Sequence, residues 1–102
     1  MRWETVVRYT ADTRLTTKQV MEQAVGYFGP DGRTGLAITE RGAYRIVFAG
    51  GGGYVIATTH RTPSGSRIEL EVQEFDQEAQ AFLGTLPGPE GWLRHTFGRS
   101  RD

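Results

Sequence analysis

Residues 66–86 read SRIELEVQEFDQEAQAFLGTL, and two different periodicities meet inside this stretch. In its first half Ile68, Leu70 and Val72 alternate with charged or polar residues, which is the period of a strand with one buried and one exposed face. In its second half Phe82 and Leu83 follow the spacing of a helix with one apolar stripe. A half-exposed strand that passes directly into an amphipathic helix predicts an α+β domain, because both elements bury one side against a shared core.

The helix in this stretch has recognisable ends. Asp76 is placed to act as its N-cap, because an aspartate side chain accepts hydrogen bonds from backbone N–H groups of the first turn. Apolar residues then recur at helical spacing at Ala79, Phe82, Leu83 and Leu86. The run Pro87-Gly88-Pro89 predicts the end of the helix, since proline cannot continue it.

A second helix is predicted nearer the N-terminus. Thr16 and Gln19 have the spacing of a capping box, in which each side chain bonds the other residue's backbone N–H. Leu15 and Val20 stand at the positions of a hydrophobic staple around that cap. One apolar stripe follows, made of Val20, Met21, Ala24, Val25 and Phe28. The Gly29-Pro30 pair predicts the end of this helix.

Four further runs have the composition of strands. They are Trp3–Tyr9, Thr34–Glu40, Ala43–Ala49 and Gly53–His60. The links that follow the helix are short, and the glycines at 50–53 are typical of a hairpin turn. The predicted order is β-α-β-β-β-β-α, an α+β fold with a five-stranded antiparallel sheet and both helices on one face. We expect a single α+β domain over residues 1–97 and a frayed C-terminal tail over residues 98–102.

Two helices on one face leave the other face of the sheet without cover. The larger apolar side chains of the alternating runs are expected on the covered face: Trp3, Val7, Leu36, Ile38, Tyr44, Ile46, Phe48, Tyr54, Ile56, Ile68, Leu70 and Val72. The smaller ones are expected on the uncovered face: Val6, Ala37, Val47, Val55 and Ala57. Because small side chains let two sheets approach closely, the sequence predicts a homodimer formed through this face.

Aromatic residues are the candidates for a ligand pocket between the helices and the sheet, since such sites are commonly lined by them. The candidates are Tyr27, Phe28, Tyr44, Tyr54, Trp92 and Phe97. The same side chains are also needed to fill the core of a small domain. Both interpretations, a pocket for a small apolar ligand and a packed core, stay open at this point.

Composition excludes several classes of function. The 12 basic and 12 acidic residues cancel, whereas nucleic-acid-binding domains usually carry a basic excess. There is no cysteine, so disulfides, thiolate metal sites and a cysteine nucleophile are excluded. No apolar run approaches the roughly 20 residues that a membrane-spanning helix needs. We expect a cytoplasmic protein that binds neither nucleic acid nor membranes.

Arginines are concentrated on or beside the predicted hairpins, at Arg41, Arg45, Arg61 and Arg67. With Tyr44 and Tyr54 nearby, such a group would suit a phosphate or nucleic-acid ligand. The alternative is that Arg45 and Arg67 pair with Glu69 and Glu71, within the sheet or across a dimer interface. The zero net charge favours this alternative.

Other candidate sites are less specific. The four glycines at 50–53 resemble a phosphate-binding nest, but lie between strands, where a hairpin needs them. His60 and His95 are the two histidines, and neither has a metal-ligand spacing or a nearby catalytic partner. The acidic run from Glu69 to Glu78 is typical of a solvated face followed by a helix start. We therefore expect no metal site, no cofactor and no catalytic residues.

The element order also has a known parallel. An opening strand runs into a capped helix over Trp3–Phe28, a glycine-rich hairpin covers Phe48–Val55, and a strand passes directly into a helix over Ser66–Leu86. This order resembles the helix-grip superfamily, which includes START-like (SRPBCC) and plant-allergen-like ligand-binding proteins. That resemblance implies an apolar ligand, whereas a TBP-like fold, which is equally similar, implies none.

The function predicted from the sequence is a noncatalytic small binding domain for an apolar or amphipathic small molecule. The alternative is a protein-interaction or self-assembly module without a small ligand. The two hypotheses differ in whether a cavity exists, because packed domains rarely contain voids larger than a water molecule.

Overall fold

A computed structural model describes residues 6–88 of the chain. Its elements are β1 (Val7–Thr13), α1 (Thr17–Phe28), β2 (Ala37–Arg41), β3 (Arg45–Gly50), β4 (Gly53–Thr62), β5 (Gly65–Gln73) and α2 (Asp76–Gly84). The five strands form one antiparallel sheet in the order β1-β5-β4-β3-β2. This confirms the predicted α+β fold and element order. The predicted strand start at Trp3 and the predicted tail at 98–102 lie outside the described residues.

The start of α1 follows the sequence prediction closely. The Gln19 backbone N–H donates to the Thr16 hydroxyl at 3.1 Å, and the Thr16 N–H donates to Gln19 Oε1 at 2.9 Å. Both bonds of the capping box are therefore present, and they satisfy two donors that a helix start would otherwise leave open. The helix ends before Gly29, whose N–H donates to the Val25 carbonyl.

The junction between β5 and α2 differs from the prediction in one detail. Phe75 is the N-cap residue and Asp76 is the first helical residue, so the prediction of Asp76 as N-cap is wrong. Glu74, directly before this cap, takes a positive φ of 80°, which is uncommon for a residue other than glycine and turns the chain sharply. Asp76 and Glu78 lie in the first turn, where the helix dipole favours negative charge.

Glycine fixes the tight turn between β3 and β4. Gly50 pairs with Gly53, so the turn itself consists of Gly51 and Gly52. Both have positive φ, at 60° and 89°, as a two-residue hairpin turn of the primed type requires. The predicted hairpin is therefore confirmed in this region.

β1 extends further toward the C-terminus than the strand predicted from the sequence. The predicted strand ends at Tyr9, yet β1 continues to Thr13, which pairs with Ser66. The Thr13 hydroxyl donates to the carbonyl of Pro87, and the Arg14 N–H donates to the same carbonyl at 3.2 Å. These bonds fasten the segment after α2 to the end of β1, while the polar residues of the strand are held by pairing with β5.

Both helices cover the same face of the sheet. The Phe28 ring of α1 lies 5.6 Å from Phe48 on β3 and 5.1 Å from Phe82 on α2, measured between ring centroids. Gln80 of α2 donates to the Tyr9 hydroxyl of β1 at 3.1 Å, on the same face. Neither helix of this described part has the length and apolar character needed to cross a membrane.

The side chains of β4 face the opposite sides of the sheet from those predicted. Val55 pairs with Val72 and Ala57 pairs with Leu70, and all four side chains are fully buried under the helices. The placement of Val55 and Ala57 on the uncovered face is therefore wrong. Tyr54 and Ile56 occupy that face instead, because cross-strand partners share a face and Ile56 pairs with Glu71.

Candidate functional site

The space between the helices and the sheet is filled where the sequence placed a pocket. Phe28 is fully buried, and its ring contacts those of Tyr27, Phe48 and Phe82 at centroid distances of 5.0, 5.6 and 5.1 Å. Tyr27 also contacts Phe82, at 5.5 Å. These distances are typical of packed aromatic pairs. Tyr27 and Phe28 therefore belong to the core.

The remaining pocket candidates are dispersed over the molecule. Tyr54 lies on the uncovered sheet face, where its hydroxyl donates to Glu71 Oε2 at 3.1 Å. Tyr44 precedes β3 and is 47% exposed, so its placement in the core was wrong. The structure does not bring these two together with Tyr27 and Phe28. Trp92 and Phe97 lie outside the described residues.

Tyr44 nevertheless stands at the edge of a distinct cleft. This cleft, of about 420 Å³, lies between the N-terminal half of α1 and the turn that joins β2 to β3, with the end of β4 closing one side. Its volume is within the range of about 300–1,000 Å³ common to small-molecule sites. We call it the α1–hairpin cleft. Its lining consists of Thr17, Lys18, Met21, Glu22, Arg41, Gly42, Ala43, Tyr44, Ile46 and Arg61.

The floor of the α1–hairpin cleft is apolar. Met21 and Ile46 line it, and both are core residues with only 5% and 2% of their surface exposed. Tyr44 forms a wall, held by its backbone carbonyl, which accepts from the Thr59 N–H at 2.9 Å. The Gly42 N–H donates to the Arg45 carbonyl at 2.8 Å and closes the turn. The cleft is therefore an opening at the edge of the core with a turn fixed beside it.

The rim of the cleft is positively charged. Lys18, Arg41 and Arg61 line it, together with a single carboxylate, that of Glu22. None of these four forms an ion pair within residues 6–88. The capping box already occupies a backbone N–H donor at the start of α1. The positive charge of the cleft therefore comes from its lysine and arginine side chains. Unpaired cations above an apolar floor give the cleft an amphipathic character.

A second, more open depression lies on the other side of Tyr44. It measures about 520 Å³ and shares Tyr44 and Arg61 with the α1–hairpin cleft. Its other lining residues are Arg45, Thr58, Thr59 and His60. The Thr59 side chain is buried, and its hydroxyl finds no hydrogen-bond partner among the described residues. The depression carries no buried apolar floor comparable to Met21 and Ile46.

A third depression, of about 400 Å³, lies at the start of α2. Glu74, Asp76, Gln77 and Glu78 line it, so it is acidic. Acids at this position suit the helix dipole. No group of three or more histidine, cysteine, aspartate or glutamate residues that could hold a metal ion occurs in the described part of the chain.

The charges of the uncovered sheet face pair within the chain. Arg67 forms a bidentate pair with Asp12, with Nε and Nη2 at 2.7 and 3.2 Å from the two carboxylate oxygens. This hydrogen bonding, with the attraction between the charges, raises the pKa of Arg67. Arg8 contacts Glu71 at 3.2 Å and Glu69 at 3.6 Å.

The predicted pairing of Arg45 and Arg67 with Glu69 and Glu71 within the sheet was therefore wrong. Arg45 pairs with Glu40 of β2, with Nη1 and Oε2 2.6 Å apart. Asp12 of β1 lies directly opposite Arg67 of β5, and Glu40 of β2 pairs with Val47 on the same sheet face as Arg45, so the edge strands supply the partners. All three arginines therefore have a carboxylate partner within the chain.

Sequence reasoning identified part of the α1–hairpin cleft and missed the rest. It grouped Arg41, Arg45, Arg61 and Arg67 with Tyr44 and Tyr54 as a possible phosphate site, and the structure places only Arg41, Arg61 and Tyr44 of this group around the cleft. It missed Lys18 and Met21, which were assigned only to the helix. Compared with known proteins, the chain matches no family model, no curated protein and no solved structure.

Proposed function

We propose that this chain is a noncatalytic binding domain for a small apolar or amphipathic molecule, and that the α1–hairpin cleft is its binding site. The observation that carries the proposal is the apolar floor of Met21 and Ile46 beneath an open volume of about 420 Å³. A molecule seated there would cover surface that belongs to the core layer. Burial of apolar surface is favourable at roughly 25 cal/mol per Å² before association costs.

The helix-grip resemblance agrees with a ligand-binding role, with one difference in location. The proposed site lies at the edge of the layer between α1 and the sheet, because aromatic rings fill its middle. The cytoplasmic location stays a prediction from the sequence.

Isothermal titration calorimetry with 1-octanol and octanoate, both below their aggregation concentrations, tests the proposal. We expect saturable binding of at least one probe with one site per chain. The blocking variant Ala43→Trp, at an exposed position of the cleft lining, should abolish it by filling the opening. Ala81→Trp, at an exposed position of α2, is the matched control and should bind as the wild type does. Binding that survives Ala43→Trp, or no binding of either probe, contradicts the proposal.

The noncatalytic part of the proposal has its own test. His60 lies exposed on the uncovered face beside Arg45 and Thr58, and is the only described histidine. A screen for hydrolase and cyclase activities should give no turnover above a heat-treated sample. Robust turnover that is lost in His60→Ala would overturn this part.

A self-assembly module is the second candidate, favoured by one observation on the uncovered face. Val47 and Ile56 pair across β3 and β4 there and are only half-buried. Of the predicted dimer-face residues, Val6 is 43% exposed and Ala37 is also exposed. Sedimentation equilibrium should show a dimer that Ile56→Arg splits, if two such faces meet. A monomer that persists as the concentration rises removes this candidate.

A further inference from the structure

The arginines of the sheet fall into two groups, and the division points to the chemistry of the ligand. Each of the five strands carries one arginine. Those of β1, β3 and β5 form ion pairs with carboxylates. The other two, Arg41 and Arg61, form none within residues 6–88, and both line the α1–hairpin cleft.

Register explains why these two arginines reach the cleft. Arg41 pairs with Ile46 and Arg61 pairs with Ser66, and both partners are buried on the helix-covered face. Because cross-strand partners share a face, Arg41 and Arg61 lie on the side of α1. The three paired arginines belong to the opposite face, which also carries their carboxylate partners Glu71, Glu40 and Asp12 on neighbouring strands. The cations at the cleft are thus separated by the sheet from the four carboxylates of the described strands, which are Asp12, Glu40, Glu69 and Glu71.

From this we infer that the ligand is an amphipathic oxyanion, with a carboxylate or phosphate head held by Arg41 and Arg61 and an apolar body on Met21 and Ile46. The inference rests on the proposed function and adds the charge of the ligand. Guanidinium groups present a planar fork of donors that matches carboxylate and phosphate oxygens. Lys18 adds a third positive charge at the rim, and only Glu22 opposes it.

A matched set of eight-carbon probes separates this inference from the proposed function. The probes are 1-octanol, octanoate, octyl phosphate and octylamine, titrated into the full chain by calorimetry. We expect octanoate or octyl phosphate to bind at least about ten-fold more tightly than 1-octanol, since a charge-assisted contact in a partly desolvated site is worth about that factor. Octylamine should bind most weakly. The tighter of the two anions identifies the head group.

Variants then locate the charge effect. The double variant Arg41→Gln with Arg61→Gln should remove the preference for the anions over 1-octanol. The matched control, Arg8→Gln with Arg67→Gln, removes the same charge from the opposite face and should keep the preference. Added salt should weaken the binding of the anions far more than that of 1-octanol.

The possible outcomes are distinguishable. If 1-octanol binds at the cleft as tightly as the anions do, the inference about charge is overturned and the proposed function stands. An anion preference that survives loss of both Arg41 and Arg61 also overturns the inference, because the head group then lies elsewhere. If no probe binds at all, both the inference and the proposed function fail.

Discussion

The layer between α1 and the sheet differs at its two ends. At the C-terminal end of α1, Phe28 is fully buried against Phe48 and Phe82. At the N-terminal end, Met21 and Ile46 are also buried, but the α1–hairpin cleft opens beside them. The second helix makes the difference, because α2 packs along β1 and β5 and supplies Phe82 only to the closed end.

The two ends of this layer are expected to serve different purposes, the closed end stability and the open end binding. At the closed end each large side chain meets others on all sides, so any loss of volume leaves a cavity. At the open end the apolar floor lies next to solvent, and a bound molecule can take the place that a ring of α2 takes at the closed end. Substitutions at the two ends should therefore have different consequences.

The largest effect is expected for a charge placed in the closed layer. Ala57 is fully buried, so Ala57→Arg introduces a guanidinium without room or partner. We expect it to cost more than about 4 kcal/mol of the free energy of unfolding and to leave little folded protein. Urea denaturation followed by circular dichroism measures this. Ile56→Arg, one residue away on the uncovered face, should cost less than about 1 kcal/mol; equal losses would mean that the register of β4 is wrong.

A smaller but still large effect is expected for removal of an aromatic ring from the closed end. Phe28→Ala should lower the free energy of unfolding by about 3–5 kcal/mol, because the ring contacts three others and its loss leaves a cavity. Tyr44→Ala, at the open end, should cost under about 1 kcal/mol, since the side chain is 47% exposed. Denaturant titrations of both variants check the difference. A larger loss for Tyr44→Ala would reverse the comparison.

A gain in stability is expected at Thr59. Its hydroxyl is buried with no partner among the described residues, and an unsatisfied buried hydroxyl carries a desolvation penalty. Thr59→Val should therefore raise the free energy of unfolding by about 1 kcal/mol. Thr58→Val, on the uncovered face, is the control and should change it by less than about 0.5 kcal/mol. Destabilisation by Thr59→Val would show that the hydroxyl has a partner in solution.

The smallest effect on stability is expected at the rim of the cleft. Arg41→Gln should change the free energy of unfolding by less than about 0.5 kcal/mol, because the arginine has no ion pair within residues 6–88. The same substitution should weaken the binding of octanoate. Thermal denaturation and calorimetry on one sample measure both. A marked loss of stability would assign Arg41 to the fold instead of to binding.

Prediction from the sequence was correct for those elements that have one polar and one apolar face. β5 alternates Ile68, Leu70 and Val72 with charged residues, and the structure buries those three. Its register with β1 and β4 then follows from which face must be buried. The first helix was predicted for a similar reason, since its cap and its apolar stripe agree.

The prediction of which β4 side chains are buried was wrong because the strand carries apolar residues on both faces. Tyr54 and Ile56 are larger than Val55 and Ala57, and size alone suggested that the larger pair is buried. The structure buries the smaller pair because α1 packs closely over β4 and β5. Only the position of a neighbouring helix, which the strand itself does not encode, determines this choice.

The α1–hairpin cleft was predictable only in part for a related reason. Lys18, Arg41 and Arg61 belong to three different elements, and their convergence depends on the packing of α1 against the hairpin. Arg41 and Arg61 stood out as residues near Tyr44. Neither forms an ion pair within residues 6–88, because the carboxylates of β1, β2 and β5 lie on the other face, and this follows from the complete sheet register.

Chemical-shift mapping by NMR tests most directly whether the open end of the layer is a binding site. In a titration with octanoate, the backbone amide resonances of Met21, Tyr44 and Ile46 should shift progressively and saturate together. Those of Phe28 and Phe82 at the closed end should move little. Shifts centred on the closed end, or on Val47 and Ile56 of the uncovered face, would contradict the assignment of the site to the α1–hairpin cleft.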